Sequence, residues 1–236
     1  MADCLYIADN RYYEEIHKAF GTGRVILPSA CCPSLSAPIS CHPDMVLYPA
    51  GRGTVVCSPE VYAYYSGILS SYGVKLVQGK AHLGGCYPDD IAYNVLEAGS
   101  TAFALWEKTD AIVCEKAAQR GLQRVRVAQG YARCSSLAIG NGLISADPSI
   151  CAAAEAAGLS VLAIRPGGIC LPGYDYGFIG GASGVLENGS VAFFGDLSLH
   201  PEGERIRSFI KAQGAETKEI CGKPLTDVGT ILRIDL

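Results

Sequence analysis

The sequence predicts an α/β fold in which five strand–strand–helix–strand units close into a ring. One observation behind this prediction is a glycine that ends a helix-forming stretch and precedes an extended one, at Gly21, Gly73, Gly121, Gly158 and Gly214. Glycine readily adopts the left-handed conformation that ends many helices. The other observation is a hairpin with a glycine turn upstream of four of these helices, as in the Asn-Gly turns at Asn141 and Asn188. The recurrence of both signals indicates a repeated unit.

The repeat divides the whole chain, 1–236, into units of one domain. Four complete units are predicted at about 41–85, 86–133, 134–177 and 178–221. The fifth unit is divided between the two ends of the chain, at 222–236 and 1–40. A first strand lies near the C-terminus, and the second strand, helix and third strand lie near the N-terminus. We therefore expect residues 228–234 to pair with residues 5–8.

Polar residues mark where the helices begin. Ser58 and Asp147 each precede a proline, which places a capping oxygen before a residue suited to the first helical position. Asp110 and His200 mark two further helix starts less clearly. These signals place one helix start in each of the four complete units.

Two other architectures compete with the ring. An open α/β sandwich with irregular strand order stays an alternative. A doubly wound dinucleotide-binding fold is disfavoured, because no GxGxxG follows a strand and two strands stand between successive helices.

Composition excludes several classes of function. The chain is 49% hydrophobic and 18% charged, which is ample for a large core. Its net charge of −4, without a Lys/Arg-rich run, argues against nucleic-acid binding and against an anionic membrane surface. The N-terminus lacks a basic start followed by a long apolar run, and no stretch of 18 apolar residues exists. We therefore expect a cytoplasmic protein without membrane contact.

The eleven cysteines are expected to be mostly buried free thiols. Most of them lie inside apolar runs, where cysteine behaves as a small hydrophobic residue. In a reducing cytoplasm, disulfides are rare. No CxxC pair exists, so neither a metal site nor a cofactor is predicted.

Chemically active residues open the first strand of several units, and in a ring these positions face the common axis. They are His42 and Asp44 in the first unit, Cys86, Asp89 and Asp90 in the second, Arg133, Cys134 and Ser136 in the third, and Asp227 in the fifth. A cysteine, a histidine and carboxylates on one axis are what nucleophilic thiol chemistry requires. Carboxylates also bind cationic substrates or transfer protons.

Three short segments resemble strands of the pentein superfamily of guanidine-modifying enzymes. Segment 133–139, RCSSLAI, resembles the nucleophile segment, in which a cysteine is followed two residues later by serine or threonine. Segment 41–46, CHPDMV, resembles the His-x-Asp strand. Segment 226–232, TDVGTIL, resembles the acidic strand, with Asp227 at the position of the catalytic acid. The cyclic order of these segments also agrees with the family, so the chain resembles a circularly permuted relative of arginine deiminase and dimethylarginine hydrolase.

This resemblance implies a five-bladed α/β propeller and a hydrolase or amidinotransferase-like activity on an amidine, guanidine or amide C–N bond. It implies Cys134 as nucleophile, His42 as general acid and base, and Asp227 as the catalytic carboxylate. The candidates for binding a small substrate in the central cavity are Asp44, Asp89, Asp90, Arg133, Ser136, Tyr174 and Asp175. Cys86 is the alternative nucleophile.

The chain departs from the family pattern at two places. Segment 178–184 carries no charge where the family has a pair that holds the guanidinium group, and Thr230 replaces the second acid of the acidic strand. Asp175 lies in the aromatic, glycine-rich loop 165–177 and is a candidate replacement, since such loops often carry binding groups. The proline-rich segment 28–43 is expected to wrap one face as a lid.

The same fold also occurs as a non-catalytic ribosome-binding factor. A ribosome- or protein-binding module with a vestigial central site therefore stays open as the alternative function. A homodimer also stays open, because one predicted helix carries several tyrosines that suit packing or an oligomer contact, at Tyr62, Tyr64, Tyr65 and Tyr72.

Overall fold

The computed structural model describes residues 3–236, which form five three-stranded sheets with helices between the strands. Residues 1 and 2, assigned to the fifth unit, lie outside the described residues. In every sheet the middle strand pairs antiparallel with one neighbour and parallel with the other. The parallel pair requires a crossover, which the helix supplies. The predicted α/β class is therefore confirmed.

The elements follow in chain order. The N-terminal part contains β1 (Cys4–Ala8), α1 (Tyr13–Phe20) and β2 (Val25–Pro28). The strands of the next sheet are accompanied by two helices, in the order α2 (Pro43–Val46), β3 (Leu47–Pro49), β4 (Thr54–Cys57), α3 (Tyr62–Leu69) and β5 (Lys75–Gln78). The sheet after it has one helix, in the order β6 (Leu96–Ala98), β7 (Thr101–Ala104), α4 (Ala111–Gln119) and β8 (Gln123–Arg126). The last elements are β9 (Ser136–Ile139), β10 (Gly142–Ser145), α5 (Pro148–Ala156), β11 (Ser160–Ala163), β12 (Ser183–Val185), β13 (Val191–Phe193), α6 (Gly203–Ala212), β14 (Thr217–Glu219) and β15 (Leu232–Asp235).

The two ends of the chain share one sheet, as predicted. Strand β15 pairs antiparallel with β1, from Cys4 opposite Asp235 to Ile7 opposite Leu232. The strand begins at Leu232 rather than at residue 228. Gly229 and Thr230, with φ of 68° and 67°, hold the left-handed conformation, which an extended strand does not contain.

The predicted helix ends are confirmed. The five glycines have φ between 68° and 83°, at Gly21, Gly73, Gly121, Gly158 and Gly214. Asp110 and Asp147 cap α4 and α5 by accepting backbone N–H bonds, which satisfies donors that a helix start leaves free. Ser58 makes no capping bond and precedes a short 3-10 turn instead.

In each sheet the first and second strands are more buried than the third. The middle strands β4, β7, β10 and β13 are almost wholly buried, whereas the third strands β5, β8, β11 and β14 are partly exposed. First strands of different sheets also adjoin, because β9 contacts both β6 and β12, and β12 contacts β15. The residues that lead into first strands are thereby brought near one another.

A disulfide joins Cys31 to Cys41, so the expectation of free thiols was wrong for this pair. The segment between them folds back on itself, with the Cys32 N–H donating to the Ser40 carbonyl oxygen, and this brings the two ends together. The cross-linked loop leads directly into His42. The other nine cysteines are free.

Among residues 3–236, no helix combines the length and the apolar character needed to cross a membrane.

Candidate functional site

The amide of Asn94, two residues before β6, joins three sheets at the centre of the molecule. Its Nδ2 donates to the main-chain oxygen of Asp44 at 3.2 Å and to Sγ of Cys134 at 2.9 Å. Its Oδ1 accepts the N–H groups of Arg133 and Cys134 at 2.8 and 3.3 Å. These bonds connect the segments that lead into β3, β6 and β9.

Backbone hydrogen bonds extend this connection to the other two sheets. The Gly181 N–H, before β12, donates to the Cys134 carbonyl oxygen at 2.9 Å, and the Gly181 oxygen accepts the Thr230 N–H at 2.9 Å. The Asp44 N–H donates to the Gly229 oxygen at 3.3 Å. The bonds thus form a closed hydrogen-bond circuit through all five sheets. Buried polar groups of this kind are costly to leave unpaired, so the circuit fixes the relative positions of the five segments.

A cavity of about 240 Å³ lies beside the circuit. Its walls are formed by Ile39, His42, Met45, Tyr131, Cys134, Leu171, Tyr174, Asp175, Tyr176, Phe178 and Asp227. The three predicted catalytic residues therefore reach one cavity, together with two of the predicted binding residues. An apolar, aromatic wall with a few polar groups is typical of sites for small ligands.

The thiol of Cys134 is buried and hydrogen-bonded. It donates to Oδ2 of Asp44 at 3.2 Å, in addition to accepting the bond from Asn94. Burial, together with the negative charges of Asp44 and Asp227, raises the pKa of Cys134 well above its ordinary value. This environment therefore favours the neutral thiol.

Asp44 lies behind Cys134 and does not line the cavity. It is fully buried, and its Oδ2 accepts the hydroxyl of Thr230 at 2.6 Å as well as the thiol. Its Oδ1 has no partner within residues 3–236. Asp44 therefore acts on the electrostatics of Cys134 rather than on a ligand in the cavity, which differs from the predicted binding role.

His42 lies between two carboxylates. Its Nδ1 is 3.7 Å from Oδ1 of Asp227, and its Nε2 is 3.8 Å from Oδ2 of Asp9. Asp9 is fully buried and holds the guanidinium of Arg11 at 2.5 Å. Asp9 was not among the predicted site residues, although an acidic residue directly after the apolar strand β1 indicates such a position.

Asp227 is held by the backbone. Its Oδ2 accepts the Phe178 N–H at 2.9 Å, and its Oδ1 accepts the Gly229 N–H at 3.0 Å. Burial raises the pKa of Asp227, while His42 opposes that shift. A Cβ atom at Gly181 would collide with this carboxylate, and one at Gly229 would collide with His42. At position 181 the Asp227 carboxylate leaves no room for a side chain, so segment 178–184 carries glycine there rather than a charged residue.

Tyr174 and Asp175, which were predicted to bind substrate, are exposed residues of the cavity wall. The hydroxyl of Tyr174 is 2.9 Å from Oγ of Ser36, which belongs to the proline-rich segment. Tyr131 and Phe178 complete an aromatic wall that sequence analysis did not identify, with their ring centroids 6.2 Å apart. This wall and the carboxylates together form the ligand-facing surface.

The second unit supplies different residues from those predicted. Cys86 is exposed, and the Asp89 side chain is 72% exposed and pairs with Lys108. Asp90 is buried and accepts the hydroxyl of Tyr131 at 2.7 Å, so it supports the wall from behind. None of these three lines the cavity. The physical reason is that β6 begins ten residues after Cys86, so Asn94 reaches the centre instead.

Asn94 could have been identified by comparing equivalent positions of the five units. In each unit the residue two positions before the first strand lies at the centre: Met45, Asn94, Cys134, Gly181 and Thr230. Arg133 and Ser136, which were predicted to bind substrate, line a different cavity. The Ser136 hydroxyl is bonded to Ser145 at 3.1 Å. In the part of the chain that the structure describes, no group of three or more His, Cys, Asp or Glu side chains is placed to hold a metal ion.

We expect the Gly181→Ala substitution to destabilise the protein by about 1–3 kcal/mol, because the new methyl group displaces the Asp227 carboxylate from its two N–H donors. Urea denaturation measures this change. Gly67→Ala is the matched control, since Gly67 lies in α3 with open space around its Cα and alanine favours helix. Equal stability of the Gly181→Ala variant and the wild type would contradict the packing described here.

Comparison with curated proteins gave no match. A family model described as a family of unknown function (DUF6873) matches residues 7–232, which include every residue of the hydrogen-bond circuit and of the cavity wall. The chain therefore belongs to this family of unknown function, DUF6873.

Proposed function

We propose that this protein is a cysteine-dependent hydrolase or amidinotransferase-like enzyme that acts on a C–N bond of a small amidine- or guanidine-like molecule. The observation that carries the proposal is that Cys134, His42 and Asp227 come from the segments leading into three different sheets and line one cavity. A thiol, an imidazole and a carboxylate around one small-molecule cavity are the groups that covalent cysteine catalysis uses.

The proposed architecture is the five-bladed α/β propeller of the pentein fold. Three features support it. Each of the five sheets has the same strand order, the first strands β6, β9, β12 and β15 adjoin in sequence, and a closed hydrogen-bond circuit connects the segments that lead into all five sheets. The division of one sheet between the chain ends fits the circular permutation.

The charge of the cavity favours a cationic ligand. Asp175 and Asp227 lie on its wall, and Asp9 stands behind His42. Arg11, the nearest guanidinium to these acids, is already bound to Asp9. The aromatic rings of the wall add a surface that attracts cations. An amidinium or guanidinium group satisfies both the carboxylates and the rings.

Cation binding also activates the nucleophile in this proposal. A positive charge near Cys134 offsets the effect of Asp44 and Asp227 on the pKa of the thiol, which favours the thiolate. The thiol proton passes to Oδ2 of Asp44, its hydrogen-bond acceptor. The thiol of Cys134 thus becomes reactive when a cationic substrate binds.

The reaction then proceeds in two steps. Sγ of Cys134 forms a bond to the amidine carbon, and the C–N bond to the leaving group breaks as a protonated His42 gives its proton to the departing nitrogen. His42 next takes a proton from water, or from an acceptor amine in the transferase version, and that nucleophile attacks the carbon. The C–S bond breaks, and the released thiolate recovers its proton from Asp44. Asp9 and Asp227 stabilise the imidazolium whenever it forms.

A binding protein without catalysis is the second candidate. The raised pKa of Cys134 favours it, because a thiol that stays neutral makes a poor nucleophile. The two candidates differ in turnover and not in ligand charge.

We expect a screen of small amidines, guanidines, ureas and amides to yield a substrate that wild-type protein turns over. The Cys134→Ala variant should lose activity by about a thousandfold or more, because the covalent step disappears. Cys86→Ala is the control, since this thiol is exposed and lies outside the cavity. Unchanged turnover in Cys134→Ala would refute the mechanism. Ligand binding without any turnover would favour the binding protein.

A second test uses the pH dependence of alkylation of Cys134 by iodoacetamide. An ordinary thiol has a pKa of about 8.5, whereas the reactivity of Cys134 should keep rising with pH well beyond that value. The Asp44→Asn variant removes one negative charge, so its curve should move to lower pH. Asp89→Asn, at an exposed carboxylate, should leave the curve in place. Peptide mapping gives the rates, and an unmoved curve for Asp44→Asn would contradict the proposed electrostatics.

A further inference from the structure

A second cavity, of about 290 Å³, also borders the hydrogen-bond circuit, because Arg133 and Thr230 line its wall. No residue lines both cavities. Neighbours along the chain are divided between them, because Cys134 lines the first cavity and Arg133 lines the second. We propose that this second cavity binds a small oxyanion, a carboxylate or a phosphate, through the guanidinium of Arg133.

The acidic residues of the second cavity are already paired. Glu97 binds both terminal nitrogens of Arg120, at 2.7 and 2.8 Å, and accepts the hydroxyl of Tyr48 at 2.5 Å. Asp235 binds the guanidinium of Arg233 at 2.6 Å. These charges are neutralised within the protein, so they neither repel an incoming anion nor attract a cation strongly.

Arg133 is the remaining charged group of this cavity. Its backbone N–H bonds to Asn94, but its side chain forms no hydrogen bond or ion pair with any residue from 3 to 236. Its Nε is buried despite having no partner. An unpaired buried donor is unusual in native proteins and costs free energy. A ligand that accepts from this guanidinium removes that cost.

The neighbouring hydroxyls do not serve Arg133. Ser136 donates to Ser145, and Ser183 donates to the Ile179 oxygen at 2.9 Å. The guanidinium presents its donors as a planar fork, which matches two oxygens of a carboxylate or phosphate. The volume suits a small anion. This inference is independent of the proposed catalytic function, because it uses none of the residues of the first cavity.

Isothermal titration calorimetry of the full chain at low ionic strength tests the inference, with sodium phosphate in one arm and sodium acetate in the other. We expect saturable binding of at least one anion to the wild type, weakened about tenfold or more in Arg133→Gln and less in Arg133→Lys. Arg126→Gln is the control, because this exposed arginine pairs with Glu107 outside the cavity. The arm that binds identifies phosphate or carboxylate as the chemistry recognised.

A nuclear magnetic resonance titration tests the same inference in wild-type protein. The Nε–H resonance of Arg133 should shift and saturate as phosphate or acetate is added, while that of Arg126 stays in place. The absence of saturable binding for both anions would overturn the proposal, and so would equal binding by wild type and Arg133→Gln. An unchanged Arg133 resonance at saturating anion would also overturn it.

Discussion

The buried amide of Asn94 is the interaction on which the arrangement of the site depends. It bonds to the main chain of Asp44 on one side and to Arg133 and Cys134 on the other, so it fixes the separation between three sheets. It also donates to the Cys134 sulfur. A side chain with two donors and an acceptor oxygen can do this without bringing a charge into the core. The same amide thus connects the sheets and holds the Cys134 thiol in place.

Carboxylates lie close to both Cys134 and His42. Burial and the charges of Asp44 and Asp227 raise the pKa of Cys134, Asp227 and Asp9 flank His42, and the guanidinium of Arg11 is bound to Asp9. The site therefore has an excess of negative charge that a cationic ligand would balance. Arg133, one residue from Cys134, lines the second cavity. We infer that the two cavities prefer ligands of opposite charge.

Much of this arrangement could be predicted from the sequence, because it depends on local rules. Glycines at helix ends indicated the five units, and the incomplete unit at each end of the chain indicated that β15 pairs with β1. The cysteine, histidine and acid motifs identified three residues that do line one cavity.

Other features depended on long-range geometry. The predicted units began at residues 41 and 86, which suggested equivalent positions, but a long irregular loop separates Cys86 from β6, and Asn94 makes the central contacts instead. Arg133 and Cys134 were assigned to the same site, although they lie in the turn before β9, which divides the two residues between different cavities. The Cys31–Cys41 disulfide depends on a fold-back of the proline-rich segment that no local pattern predicts.

The proposed cysteine mechanism is tested most directly by treating the protein with 2-chloroacetamidine and with neutral chloroacetamide, and locating the products by mass spectrometry. We expect a single adduct at Cys134, formed by displacement of chloride. The cationic reagent should react at least about tenfold faster, because the carboxylates attract this reagent and its charge favours the thiolate. Labelling of the exposed Cys86 and Cys170 with Cys134 left unmodified would contradict it.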